Sequence, residues 1–279
     1  MASEARRHLR INRDGSADTS SPFIGIWDIE ARPGTTLERL KAARRSGLDA
    51  ADLMRTRRSE HVASGQFTAD GIKAALVKNA MSEAVSPLHR ARQTIKSAKT
   101  ERDELRAKVK PPATDKTDLV SAMLRAEMRD WFRSKPQSER DRISADPAKM
   151  DSQLALALME MPAELTGVSA MHRNALIEHT VQAEHAETIA TIKDLERGIE
   201  LAERAVEASR EEIRKDTGLE RAAFDGLAAP IEKKATAPWL RKGRVIDLER
   251  GVAREPTEEE IANGIEAETL DEFNRLKAA

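Results

Sequence analysis

Residues 74–109 read AALVKNAMSEAVSPLHRARQTIKSAKTERDELRAKV and contain the pattern that decides the fold. Apolar side chains recur there at alternating intervals of three and four residues, with Arg102 as the single exception. This spacing keeps one stripe of a helix turned toward a partner helix, as in a coiled coil. The apolar members are Ala74, Val77, Met81, Ala84, Leu88, Ala91, Ile95, Ala98, Leu105 and Val109.

A second stripe with the same kind of spacing lies further along the chain. Its members are Ile192, Leu195, Ile199, Ala202, Val206, Ser209 and Ile213. The two stripes predict long helices at residues 67–110 and 169–218, the second ending at Gly218 because glycine commonly follows a helix C-terminus. Two long helices that flank a compact segment favour an antiparallel hairpin, although the stripes leave open parallel or antiparallel pairing and pairing within or between chains.

Many stripe residues are alanine, which buries little apolar area at about 0.8 kcal/mol per methylene. Further helices or further subunits are therefore needed to complete the core. We expect the helix seam or oligomer interface to consist of Val77, Met81, Leu88, Ile95, Leu105, Ile192, Leu195, Ile199, Val206 and Ile213. Pro87 lies inside the first long helix and predicts a kink or restart there, with the stripe continuing in the same register.

The composition favours helices over a large mixed core. Of 279 residues, 34% are charged and only 3% aromatic, and no glycine occurs between Gly71 and Gly167. We predict an elongated all-α fold in which two long coiled-coil-type helices flank a small helical knob. The predicted segments are an N-terminal arm (1–34), short basic helices (35–66), a long helix (67–110), a helical subdomain (111–168), a second long helix (169–218), a linker (219–256) and acidic C-terminal helices (257–279).

Local signals refine these segments. Capping boxes are predicted where a threonine precedes a glutamate by three residues, at Thr35, Thr257 and Thr269. Gly47 is expected to separate two short helices in the 35–66 segment. In the knob, the methionine-rich helix around residues 119–132 is expected to fill the core rather than to form a binding surface.

The N-terminal arm contains an apolar run at residues 23–29, which predicts a short strand or an extended anchor. Its anchoring side chains are Phe23, Ile26 and Trp27. Two alternatives are open: the anchor docks onto a partner, or it packs against the helices of its own chain.

Charge is unevenly distributed along the chain. Residues 1–110 hold 22 basic against 14 acidic residues, whereas the chain as a whole has a net charge of −1. Arginines on the predicted short helices are candidates for phosphate contacts, although no aromatic residues interleave with them for base stacking. The candidates are Arg44, Arg45, Arg55, Arg57 and Arg58.

The sequence contains no recognisable catalytic chemistry. It has no cysteine, no phosphate-binding glycine loop and no histidine pair at the four-residue spacing of helical metal ligands. We predict that the protein is not an enzyme, and we predict no catalytic, cofactor or metal site. No apolar run follows the basic start, and the longest apolar stretch is too short to span a bilayer, so we expect neither a signal peptide nor a membrane partner.

Three stretches resemble a pattern in uncharacterised, helix-rich coiled-coil proteins of bacteriophages and prophages. They are Trp131-Phe132-Arg133-Ser134, Ser138-Glu139-Arg140 and Leu158-Met159-Glu160-Met161-Pro162-Ala163-Glu164-Leu165-Thr166-Gly167. In that pattern an acidic helix follows, as residues 169–217 do here. The resemblance implies a virion-associated or assembly protein, located in the bacterial cytoplasm or within a virion.

These observations lead to one expected function and two alternatives. We expect a structural or assembly protein that oligomerises, or docks onto other assembly proteins, through its helical seams. One alternative is a nucleic-acid-associated or regulatory helical protein that uses the basic N-terminal helices. The other is a transient scaffolding factor, which would be absent from the finished assembly.

Overall fold

The computed structural model describes residues 25–113, 115, 117–247 and 251–278. The chain divides into two compact units. Unit 1 combines residues up to Thr100 with residues from Leu195 onward, and unit 2 comprises Glu101–Asp194. Helices dominate both units, as the composition predicts, but unit 1 also contains a small β-sheet, so the all-α prediction was wrong in this respect.

The N-terminal half of unit 1 is built from long helices. They are α1 (Thr36–Ser64), α2 (Ala69–Asn79), a π-helical segment (Ala80–Ala84) and α3 (Val85–Lys108), which passes into unit 2. α1 is continuous through Gly47, so the predicted pair of short helices was wrong. Gly47 is buried against α9 (Ala186–Thr217): a Cβ on it would lie 3.0 Å from Val206 Cγ2. This glycine permits close packing and does not end a helix.

The π-helical segment changes which face of the first stripe is buried. Val85 N donates to Ala80 O, so this turn contains one residue more than an α-helical turn. Upstream of it Leu76 and Ala80 are buried, whereas the predicted Val77 and Met81 are only half-buried. The prediction of an unchanged register was therefore wrong. The wide turn directly precedes Pro87, whose ring would clash with a carbonyl of a regular helix.

From Ala84, the last residue of the π-helical segment, to Ala98 every predicted member of the stripe is buried. Every member of the second stripe is buried as well. Within unit 1, Arg92 of α3 pairs with Glu207 of α9 and Lys99 pairs with Glu203, so residue numbers run in opposite directions along the two helices. The favoured antiparallel pairing is confirmed for these portions of the helices.

The C-terminal part of unit 1 differs most from the predicted linker and helices. Helix α10 (Arg221–Ala235) precedes a four-stranded sheet of order β3-β2-β1-β4. The strands are β1 (Trp239–Arg241), β2 (Arg244–Asp247), β3 (Val252–Arg254) and β4 (Ile265–Glu266), with the short helix α11 (Glu258–Asn263) before β4 and α12 (Leu270–Ala278) after it. Trp239 stacks on Phe273 and donates from Nε1 to Ala267 O at 2.7 Å, which ties α12 to the sheet.

Unit 2 is a set of short helices around its own core. They are α4 (Leu119–Arg133), α5 (Gln137–Ser144), a 3₁₀ turn (Pro147–Lys149), α6 (Ser152–Glu160), α7 (Ala163–Thr166) and α8 (Ala170–Glu184). The buried core comprises Phe132, Leu154, Ala155, Leu158, Met159, Val168 and Leu176. A helical subdomain was expected at residues 111–168, but unit 2 is larger, since its core also includes Leu176 of α8, which was predicted to belong to the second long helix.

Candidate interaction surface

Helix α4 begins at a well-defined cap. Asp118 Oδ1 accepts from Ser121 N at 3.0 Å, and Asp118 Oδ2 accepts from Ser121 Oγ at 2.6 Å. The Ser121 side chain, and then its backbone amide, hold the pKa of Asp118 below its usual value. Asp118 therefore stays ionised at neutral pH, next to the positive end of the helix dipole.

The inner face of α4 anchors the helix to the rest of unit 2. Phe132 is fully buried, and Met128 packs on the same core. The nearly buried Arg125 donates from Nε to Glu160 Oε2 at 3.2 Å, and Arg129 reaches the same oxygen at 2.7 Å. Two arginines therefore share one carboxylate at the end of α6, which fixes the rotation of α4 about its axis.

The opposite face of α4 is apolar and exposed. Its five large apolar side chains have between 45% and 78% of their surface accessible. We call this surface the outer face of α4; it consists of Leu119, Val120, Met123, Leu124 and Trp131. The prediction that the methionine-rich helix fills the core was therefore wrong for this face and right for Met128 and Phe132.

Side chains exposed to this extent present on the order of 500 Å² of surface, a size at which apolar patches on monomers are commonly functional. Glu127 and Asp130 lie on the same side, and Lys135 Nζ is 5.0 Å from the centre of the Trp131 ring. By helical spacing Glu127 lies within the outer face, between Met123, Leu124 and Trp131, whereas Lys135 lies at its end. An exposed apolar area of this size is typical of a protein-binding surface.

The sequence does not reveal the outer face of α4, because an apolar helix face ordinarily turns toward the core. Here the core side of α4 carries Phe132 together with the paired arginines Arg125 and Arg129.

The predicted seam residues do not form a free surface. Leu88, Ile95 and the five predicted members of the second stripe are buried within the single chain, whereas Val77, Met81 and Leu105 are half-buried. The seven buried members pack between helices of this chain, and an oligomer interface at the predicted positions stays a prediction.

The anchor residues have separate environments. Trp27 donates from Nε1 to Ile29 O at 2.8 Å, and its ring lies 3.4 Å from the position that a Cβ would take on Gly198 of α9. Ile26 is largely exposed. Trp27 thus packs on a helix of its own chain, the second of the two alternatives, in an extended segment without strand pairing; Phe23 lies outside the described residues.

Two of the candidate phosphate-binding arginines lie on the first half of α1. Arg44 is buried and donates from Nη2 to Gly25 O at 3.0 Å. The side chain of Arg45 is 84% exposed and lies 3.8 Å from Asp49, one helical turn away. Only Arg45 of this pair is placed to reach a large external ligand.

The other three candidate arginines bind carboxylates from neighbouring segments. The pairs are Arg55 with Glu212, Arg57 with Glu83 at 3.0 Å, and Arg58 with Asp216 at 2.7 Å. These ion pairs join α1 to the end of α9 and to the π-helical segment. A phosphate would have to displace those carboxylates.

A polar cavity of about 400 Å³ lies between α3, α9 and α10 of unit 1. It is lined by four arginines and four carboxylates. Arg210, largely buried, donates to Asp225 at 2.7 Å and to Glu232. Close by, burial lowers the pKa of His89, so its imidazole is neutral at neutral pH. The charges are balanced, and the network joins the three helices.

Within the described part of the chain, no three histidine or carboxylate side chains converge as a metal site would require. Among the same residues, none of the helices combines the length and apolar character that crossing a bilayer demands. Comparison with protein-family models, with curated proteins and with solved structures found no match to this chain.

Proposed function

We propose that this chain is a non-enzymatic structural or assembly protein that docks onto another protein chain through the outer face of α4. The observation that carries the proposal is the exposure of this face while its helix is fixed from behind. Leu119, Val120 and Met123 are each more than 60% exposed, and Phe132 on the opposite side is fully buried. An apolar face held rigidly in water loses little conformational entropy when it binds.

The burial of the helical seams also supports docking through the outer face of α4. Since the long helices cover one another's apolar stripes, they supply a stable body and not the docking surface. The setting in a bacteriophage or prophage rests on the sequence resemblance of residues 131–167, which includes Trp131 of the outer face.

The nucleic-acid alternative receives less support. Of the five candidate arginines, only Arg45 combines high exposure with a single distant partner, at 3.8 Å. Phosphate binding by one exposed arginine would contribute little, because non-specific affinity grows with the number of phosphates neutralised.

Photochemical crosslinking tests the proposed docking face. In the cells that naturally encode the chain, p-benzoylphenylalanine would replace Leu124 in one strain and the exposed Glu178 of α8 in a control strain. We expect a covalent adduct to another polypeptide only from position 124. If illumination yields no adduct at position 124, or equal adducts at both positions, the proposed docking face is wrong.

A virion component and a transient assembly factor differ in one observable. Mass spectrometry of finished particles would detect a virion component at constant stoichiometry. A scaffolding factor would be present in assembly intermediates and absent from finished particles.

A further inference from the structure

The two ends of α4 carry opposite charges. Asp115 and Asp118 lie at its start, and both accept hydrogen bonds that hold their pKa values below the usual range. Arg133 and Lys135 lie at its end. Lys116, between the two aspartates in sequence, lies outside the described residues.

This distribution distinguishes the two ways in which a second α4 could lie on the outer face. A parallel neighbour would place Glu127 beside Glu127 and Lys135 beside Lys135. An antiparallel neighbour places Asp115 near Lys135 and sets the Trp131 ring over the smaller side chain of Leu119. Opposite charges then meet at both ends, because a two-fold axis repeats each contact.

The available area agrees with self-association. Two outer faces in contact would remove on the order of 1,000 Å² from water, which reaches the lower limit for specific interfaces. The midpoint of the apolar set is close to Leu124, so a two-fold axis near this residue buries all five side chains of both copies. Such a small interface is expected to dissociate in the micromolar range.

We propose that the occupant of the outer face is α4 of a second copy of this chain, packed antiparallel across a two-fold axis near Leu124. The inference rests on the proposed function, since it names the partner of the same face.

Light scattering coupled to size exclusion tests the identity of the partner with the purified full chain. We expect a species of twice 30.9 kDa at micromolar concentration. Leu124→Asp should weaken association at least about a hundredfold, because the interface would bury two unpaired charges. Glu178→Lys, a charge change on α8, is the control and should have no effect. Circular dichroism should be the same for all three proteins.

Two outcomes of this measurement would overturn the inference. If the wild-type chain stays monomeric throughout the micromolar range, the partner is not a second copy, and crosslinking at position 124 then decides separately whether the docking function stands. A dimer that Leu124→Asp leaves intact would overturn the inference, since the two copies would then associate through another surface, and crosslinking at position 124 again decides whether the docking function stands.

Cysteine mapping tests the antiparallel arrangement. The chain has no native cysteine, so each introduced thiol is unique. Under mild oxidation, Leu124→Cys should form a disulfide with its own copy. Leu119→Cys and Trp131→Cys should each fail to do so, since antiparallel helices place like residues about 20 Å apart along the axis.

A mixture of the Leu119→Cys and Trp131→Cys proteins should form the mixed disulfide. Self-linked Leu119→Cys and Trp131→Cys dimers without the mixed species would show a parallel pair and overturn the antiparallel arrangement. Trp131→Cys also removes part of the face, so association of each variant is confirmed by light scattering before oxidation.

Discussion

The carboxylate of Glu260 accepts hydrogen bonds from both a side chain and the backbone, and these bonds lower its pKa. Arg254 on β3 donates to both of its oxygens, one of them at 2.8 Å, and Thr257 N donates at 2.9 Å. These bonds, that from Arg254 first, lower the pKa of Glu260 from 4.5 to about 2. The ion pair connects a strand of the sheet to the first turn of α11.

Removing the arginine should release this carboxyl group. Because the folded-state pKa of Glu260 is depressed, its contribution to stability is complete above pH 4.5 and is lost as the pH falls through about 2. In Arg254→Gln we expect the pKa to move from about 2 most of the way toward 4.5, as measured by a carbon-detected NMR titration.

Arg275→Gln, at an exposed position on α12, is the control and should leave the Glu260 titration unchanged. A Glu260 pKa that remains near 2 in Arg254→Gln would show that the backbone amide of Thr257 dominates. The capping box of Thr257 and Glu260 is a local pattern and was predictable from the sequence. Arg254 was not, because its role depends on where strand β3 places it.

Helix α1 illustrates how a single glycine governs the approach of two helices. A Cβ on Gly47 would lie 3.0 Å from Val206 Cγ2 and 3.2 Å from Val206 Cα. Gly226, inside α10, has nothing within 4 Å of the same position. The two glycines therefore offer a matched comparison of steric crowding at equal helix propensity.

We expect Gly226→Ala to raise the free energy of unfolding by about 0.5–1 kcal/mol, the usual gain in helix propensity. Gly47→Ala should instead lower it by about 1 kcal/mol or more, since the backbone of Val206 has to move. Urea unfolding followed by circular dichroism measures both values. Equal stabilisation by the two substitutions would mean that α1 and α9 do not approach as closely as described.

The two stripes predicted most of the buried positions and the long helix at residues 67–110. The single helix predicted at residues 169–218 was wrong, since it is divided at His185 into α8 and α9. The stripes did not predict the π-helical segment. A turn with one additional residue has no characteristic sequence pattern, and Pro87 indicates only that the helix is irregular there. Strands of two to four residues, as in β1–β4, are also too short for periodicity to identify. The outer face of α4 was missed because tertiary packing, and not the helix itself, selects the buried side.

Across the whole molecule, the apolar stripes and the outer face of α4 have different roles. Leu195 and Ile199 are almost fully buried within the single chain, whereas Leu124 is exposed. Substitution by a charged residue therefore has different effects at the two sites. In the stripe it destabilises the fold, and on the outer face it weakens only association.

The variant with Leu195→Asp and Ile199→Asp should lose the fold of unit 1, since each buried unpaired charge costs several kcal/mol. We expect reduced helical circular dichroism and loss of the cooperative thermal transition. Leu124→Asp serves as the reference, with unchanged dichroism. A double variant that keeps wild-type dichroism would contradict the intramolecular burial of the second stripe.

The division into two units also has a consequence for synthesis on the ribosome. Residues 101–194 emerge consecutively, so unit 2 has all of its core when its last helix appears. The core of unit 1 cannot form until α9 has emerged. The apolar sides of α1 and α3 emerge first, and α9 follows on the order of 10 s later at ordinary translation rates. During that interval the nascent chain exposes the apolar side chains of Leu40, Met54 and Leu88, each of which is fully buried in the finished fold.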